Sequence, residues 1–135
     1  MDFKIIPSVC SYCGTGCGVL FQVMDGRIID TMPMKTHPVN EGRLCIKGWN
    51  LHEHVISDKR LKSPMIRKDG ELQESSWDEA IRVTADKFKS IINEHGPDSV
   101  GVLASAKITN EENYLAQKFA RAVIGTNNVD HCARL

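Results

Sequence analysis

The stretch Cys10-Ser11-Tyr12-Cys13-Gly14-Thr15-Gly16-Cys17, closed from afar by Cys45, decides how this chain reads. Four of the five cysteines stand in a C-x2-C-x3-C-x27-C pattern. Three thiols on one tight loop, with a fourth from a distant segment, is a spacing that wraps a [4Fe-4S] cluster. Gly14, Gly16 and Gly18 interleave with the cysteines. Glycine tolerates positive φ, so such a loop can curl with its N–H groups inward, toward thiolate and sulfide. Two other readings compete. A zinc ribbon brings together two C-x2-C pairs, whereas the split here is three and one. Disulfides suit a secreted chain, and Met1-Asp2-Phe3-Lys4 opens no apolar export signal.

Working outward, a chain of 135 residues holds one domain or two small ones. Its 41% hydrophobic and 25% charged residues suffice for an ordinary core. Lysine plus arginine equals aspartate plus glutamate at 17 each, which argues against nucleic acid as a partner. No apolar run approaches the roughly 20 residues of a transmembrane segment. The expected location is cytoplasmic, where thiols stay reduced.

Phe3, Ile5 and Ile6 predict a short strand that Pro7 limits. Val19–Val23 and Arg27–Thr31 predict two more, joined by the hairpin signal Asp25-Gly26. A turn-rich segment through Pro33, Pro38, Asn40 and Gly42 then delivers Cys45. This predicts a small β-rich lobe over residues 1–60, its limited core supplemented by the cluster. Beyond it, Asp69-Gly70 marks a second hairpin between Met65–Arg67 and Glu71–Gln73.

The character changes at Ser76-Trp77-Asp78-Glu79, a capping box. Behind it Trp77, Ala80, Ile81, Thr84, Ala85, Phe88, Ile91 and Ile92 recur at helical spacing until Gly96-Pro97 stops them. Val100–Ala104 reads as a buried parallel strand. Thr109–Glu112 is a second capping box, opening a helix with Tyr114, Leu115, Phe119, Ala122 and Val123 that Gly125 ends. Residues 126–130 lead into a short strand. The fold class is α/β (α+β overall): the β-rich lobe, then the start of a parallel, Rossmann-like α/β domain over residues 61–135.

In such sheets ligands bind beyond the carboxyl ends of the strands. Two loops qualify, Ser105-Ala106-Lys107 and His131-Cys132-Ala133-Arg134, on one edge. The helix start from Asn110 to Asn113 offers N–H groups to an anion, an offer that Glu111 and Glu112 partly offset. On spacing alone Lys47 reads as a surface lysine. His52 and His54 read as structural or solvated, and Lys59, Arg60, Lys62, Arg67 and Lys68 as a solvated basic face.

Two segments carry a family resemblance: the four cysteines followed by Ile46-Lys47-Gly48, and the run from Thr109-Asn110-Glu111-Glu112-Asn113-Tyr114 to Asp130-His131-Cys132-Ala133-Arg134. With them the chain resembles the opening of molybdenum- or tungsten-dependent oxidoreductases that carry bis(molybdopterin guanine dinucleotide). Among these it is most similar to formate dehydrogenase catalytic (alpha) subunits. The resemblance implies that Cys10, Cys13, Cys17 and Cys45 bind a [4Fe-4S] cluster. It places Lys47 between cluster and pterin in the electron path, which overturns the surface reading. Ser105, Lys107, Asn110 and Asn113 become candidates for the cofactor's surroundings. For the whole protein it implies formate as substrate and an electron-accepting iron–sulfur or flavin subunit as partner. Nitrate-like substrates are the alternative within the family. A stand-alone iron–sulfur electron-transfer module is the alternative outside it, and such a carrier has no need of residues 76–134. The family's metal ligand, a cysteine or selenocysteine followed by histidine, comes just after the stretch that ends here at Leu135. The expectation is therefore a selenocysteine codon at position 136, and no formate oxidation by these residues alone. Cys132 is not that ligand and is expected to be a packed, apolar thiol.

Overall fold

The computed structural model describes residues 1–132, which belong to two compact units. One comprises Met1–Arg60, Ala104–Leu115 and the segment from His131; the other comprises Leu61–Leu103 and Ala116–Asp130.

The first unit is built on an antiparallel sheet of β1 (Phe3–Val9), β2 (Gly18–Met24) and β3 (Arg27–Pro33), in that order. The predicted Asp25-Gly26 hairpin is present, both residues at positive φ (47° and 79°) as a two-residue primed turn requires. Strand β1 does not stop at Pro7, which pairs with Leu20. An edge strand leaves alternate N–H groups unpaired, so it tolerates the proline. The β1–β2 ladder closes at Val9 opposite Gly18. The cysteine loop is therefore the connection of an outer hairpin, and Cys10 N donates to Cys17 O at 2.8 Å across its base.

Two short helices follow Cys45, α1 (Ile46–Trp49) and α2 (Leu51–Ile56). Thr31, fully buried on β3, accepts the His52 N–H at 3.1 Å, and its hydroxyl lies 3.2 Å from His52 Nδ1. That satisfies a donor which the first turn of a helix otherwise leaves orphaned, and it docks α2 on the sheet. His52 is thus a structural residue. Cys10, Val19 and Leu51 form the core, with Cys17, Phe21 and Leu44 partly buried against them.

The second unit opens with the predicted hairpin, β4 (Met65–Lys68) and β5 (Glu71–Glu74) around Asp69-Gly70. Helix α3 (Trp77–His95) starts where the capping box places it, with Glu79 N donating to the Ser76 hydroxyl at 3.2 Å. The reciprocal half of the box is not made. The Glu79 carboxylate instead accepts from Lys68 Nζ at 2.9 Å and the Ser75 hydroxyl at 2.7 Å, which ties the hairpin to the helix. Gly96 ends α3, its N–H donating to Ile92 O.

Strands β6 (Val102–Ala104) and β7 (Val129–His131) form a two-stranded sheet. The expected strand over Val100–Ala104 is shorter than predicted and not buried: Leu103 is exposed, because two strands present little surface for layers to pack on. Helix α4 (Asn110–Lys118) begins with a complete capping box. Glu112 N donates to Thr109 Oγ1 at 3.2 Å, and Thr109 N donates to Glu112 Oε2 at 2.7 Å. The helix continues as π-helical turns over Phe119–Ile124 and ends at Gly125, φ 88°. Helices, hairpins and a small antiparallel sheet together give the mixed helix–strand class that the sequence predicts.

Candidate metal centre

Cys10, Cys13, Cys17 and Cys45 line one cleft of about 440 Å³, and Lys47 lines it too. Three of the thiols come from the loop between β1 and β2. The fourth is delivered by residues 34–44, and the residue that delivers it is Asn40. Asn40 is buried; its Oδ1 accepts Gly18 N at 2.8 Å while its Nδ2 donates to Gly18 O at 3.1 Å and Arg43 O at 2.9 Å. The side chain thereby mimics a strand partner for Gly18, one residue beyond Cys17. Sequence reading had Asn40 only as a turn residue. The one available signal was an asparagine between Pro38 and Gly42 in a segment that must return to the cysteine loop.

The three loop glycines serve different ends. Only Gly16 needs positive φ, at 68°. Gly14 and Gly18 are small because Asn110 and the His37 ring come too close for a Cβ. The predicted inward curl is thus set by one residue of the three.

The thiols sense one another. Burial raises the Cys17 pKa, and the charges of Cys10, Cys13 and Cys45 raise it further. Cys13 is lowered by the Thr15 hydroxyl, 3.3 Å from its sulfur, then by the Thr15 N–H, with Lys47 adding attraction. Cys45 is lowered chiefly by the Gly48 N–H, with the Lys47 N–H and ammonium contributing. The Lys47 ammonium stands 5.1 Å over the Tyr12 ring, a cation–π contact that steers it toward the cysteine loop. All five cysteines are free thiols. Among the described residues no three His, Cys, Asp or Glu side chains meet as a mononuclear ion requires. The four thiols instead line one cavity, with the Thr15 hydroxyl 3.3 Å from the Cys13 sulfur and Lys47 beside them. That donor set fits a polynuclear cluster, which wants thiolate ligands and hydrogen bonds to sulfur.

The remaining candidates do not join that cleft. The Ser105 hydroxyl accepts Lys107 N at 3.0 Å within its own turn. Asn113 Nδ2 donates to Ser105 O at 3.0 Å and Thr109 O at 3.3 Å, bracing the loop ahead of α4. Lys107 lines a separate cavity of about 550 Å³ with Ser11, His54, Arg60 and Glu112. Arg60 is the one member of the basic face found there; Lys59, Lys62, Arg67 and Lys68 are exposed, with Lys68 paired to Glu79. Asn110 reaches the cysteine loop, donating from Nδ2 to Gly14 O at 2.8 Å.

Cys132 departs from expectation. It is exposed rather than packed, accepts the Ala106 N–H at 3.4 Å, and sits 3.5 Å from the Ser105 hydroxyl. The Ser105 hydroxyl, then the Ala106 N–H, hold its pKa below the ordinary thiol value. Polar partners in the 105–107 turn explain why it is not an apolar filler. The two predicted edge loops therefore meet at this sulfur; Ala133, Arg134 and Leu135 lie outside the described residues.

Residues 3–57 match the family Molybdopterin oxidoreductase Fe4S4 domain, and residues 60–135 match Molybdopterin oxidoreductase. The chain is 56% identical over 135 residues to F420-dependent formate dehydrogenase 1 subunit alpha of Methanococcus maripaludis, covering all of this chain and 19% of that protein. It is 46% identical, with the same coverage, to F420-dependent formate dehydrogenase subunit alpha of Methanocaldococcus jannaschii. Acetylene hydratase from Pelobacter acetylenicus superposes with a TM-score of 0.71 at 28% identity, over 93% of this chain and 18% of that one. The chain thus spans about a fifth of the length of the curated relatives it matches.

Proposed function

The chain belongs to the molybdopterin oxidoreductase family, and from that premise we propose that it is the cluster-bearing N-terminal part of a formate dehydrogenase alpha subunit. The observation that carries the reading is the convergence of all four patterned cysteines and Lys47 on one cleft. We place the domain boundary after Arg60, three residues past the end of the first family match and at the limit of a compact segment. Among the described residues no helix is long and apolar enough to cross a membrane. Five free thiols support a cytoplasmic location.

In this reading Cys10, Cys13, Cys17 and Cys45 hold the [4Fe-4S] cluster. For the whole enzyme the substrate is formate and the product carbon dioxide; the pterin-bound metal supplies the two-electron chemistry, and the cluster supplies one-electron transfer toward an iron–sulfur or flavin subunit. The chain's own residues prepare the ligand set. The Thr15 hydroxyl and the Gly48 N–H lower the pKa values of Cys13 and Cys45, which favours the thiolate form a cluster ligand must take. Lys47 places a positive charge and three donors beside the cleft, offsetting the mutual repulsion of four thiolates. From there it is our candidate for the contact between cluster and pterin. Ser105 and Lys107 in the turn after β6, with Asn110 and Asn113 at the start of α4, are our candidates for the pterin's surroundings.

The test is anaerobic reconstitution with iron and sulfide. The chain should take up about four irons and four sulfides. Cys45→Ser should lose most of the visible absorption, since one iron loses its remote clamp. Stoichiometric zinc without sulfide would sink the reading. In the full-length protein, formate should bleach the cluster's absorption; reduction by formate absent and reoxidation by nitrate present would move the assignment to a nitrate-like relative.

A further inference from the structure

The cluster reading leaves unexplained why a side chain 96 residues away reaches into the cysteine loop. Asn110 is the first residue of α4, and its Nδ2 donates to the Gly14 carbonyl at 2.8 Å. The contact is a close fit: a Cβ on Gly14 would lie 2.5 Å from Asn110 Oδ1. The platform is fixed from both sides, by the Thr109–Glu112 capping box and by the Asn113 amide on Ser105 O.

The carbonyl that Asn110 grips belongs to the Gly14–Thr15 peptide. A trans peptide is planar, with its C=O and N–H pointing in opposite directions. The residue at the other end of this plane is Thr15, whose hydroxyl lies 3.3 Å from the sulfur of Cys13. Anchoring the oxygen therefore fixes where Thr15 stands beside that sulfur. We propose that Asn110 is a positioning residue for the cluster, setting its reduction potential by orienting the Gly14–Thr15 peptide and with it the Thr15 hydroxyl beside the Cys13 sulfur. The proposal rests on Cys13 being a cluster ligand. A hydrogen bond to a ligand sulfur stabilises the extra negative charge of the reduced state, so the clamp raises the potential.

The experiment is an EPR-monitored redox titration of the reconstituted chain. Iron and sulfide in the unmodified protein are measured first: without them the cluster reading fails, and Asn110 has no cluster to tune. With the cluster present, Asn110→Ala should disfavour the reduced state about tenfold, a fall of about 59 mV for one electron. Gly14→Ala, which pushes the amide away without touching it, should lower the potential in the same direction. Asn110→Gln keeps the donor and should recover part of the loss. An unchanged potential in both Asn110→Ala and Gly14→Ala, at full iron content, overturns the proposal. If Asn110→Ala alone loses its iron, the potentials of Asn110→Gln and Gly14→Ala decide: a fall in Gly14→Ala upholds the proposal, and unchanged values in both overturn it. Loss of iron from both Asn110 variants marks Asn110 as a folding residue and overturns the proposal.

Discussion

The cysteine lobe and the helical unit treat their apolar residues differently. Beneath the four thiols Val19 is fully buried and Leu51 is 3% exposed. On α3 no residue is buried; Trp77 and Ile81 remain 68% and 62% exposed, and the stripe they belong to borders an open groove of about 290 Å³ with Phe88 and Phe119. Both regions show the hydrophobic period their secondary structure needs. Periodicity tells which face of an element is apolar, and a second element must still supply the cover.

The sharpest way to break this comparison is to make the same truncation in each place. Leu51→Ala removes side-chain atoms from a closed core and should cost about 2–4 kcal/mol. Ile81→Ala, on the open stripe, should change stability by roughly 0.5 kcal/mol or less. Urea unfolding of the two variants measures the difference. Equal costs would mean that the α3 stripe is covered in solution, and the contrast between the units would fall.

The same contrast explains what the sequence disclosed. Local signals were legible: both Asp-Gly turns, the start of α3 at Ser76, the start of α4 at Thr109, and the stops at Gly96 and Gly125. Each is decided within four or five residues. The four cysteines were legible for another reason, since their spacing is itself the signal. What escaped was set over long distances. Pro7 looks like a strand end until β1 is known to be an edge. Glu79 looks committed to Ser76 until Lys68 and Ser75 arrive to compete for it. Cys132 looks apolar until the 105–107 turn folds over it. The grips of Asn40 on Gly18 and Asn110 on Gly14 span 22 and 96 residues, and no pattern in one sequence announces either.

Asn40 gives the next prediction. In the lobe, one buried side chain substitutes for a missing backbone partner, a device the helical unit does not use at its hairpin. Asn40→Ala leaves the Gly18 N–H without its acceptor, removes both bonds donated by Nδ2, and should cost about 2 kcal/mol. Asn40→Asp keeps that acceptor but turns a carboxylate oxygen toward the Gly18 and Arg43 carbonyls, and should cost at least as much. Iron uptake should slow in the same order, because residues 41–44 carry Cys45 to the cleft. If Asn40→Ala unfolds at the same urea concentration as the unmodified chain, Asn40 is not what holds that segment.

The smallest effect is expected at the surface link of the second unit. Lys68 and the Ser75 hydroxyl hold the Glu79 pKa below its ordinary value of 4.5, in that order of importance. A carboxylate whose folded pKa is depressed contributes stability that is fully present above the unfolded value and is lost as pH falls through the folded one. The difference in Tm between the unmodified chain and Glu79→Gln should therefore hold level from neutral pH down to about 5.5 and shrink below 4.5. Because the group is exposed, the difference should also shrink with added salt, which screens the Lys68 pair over about 10 Å at 0.1 M. The lobe supplies the control: Thr31→Val, which removes an uncharged hydroxyl bonded to His52 N, should lower Tm by an amount that salt does not change. If Glu79→Gln keeps its full effect below pH 3 or in 1 M salt, the link between hairpin and helix is held by packing, and the charge on Glu79 is incidental to it.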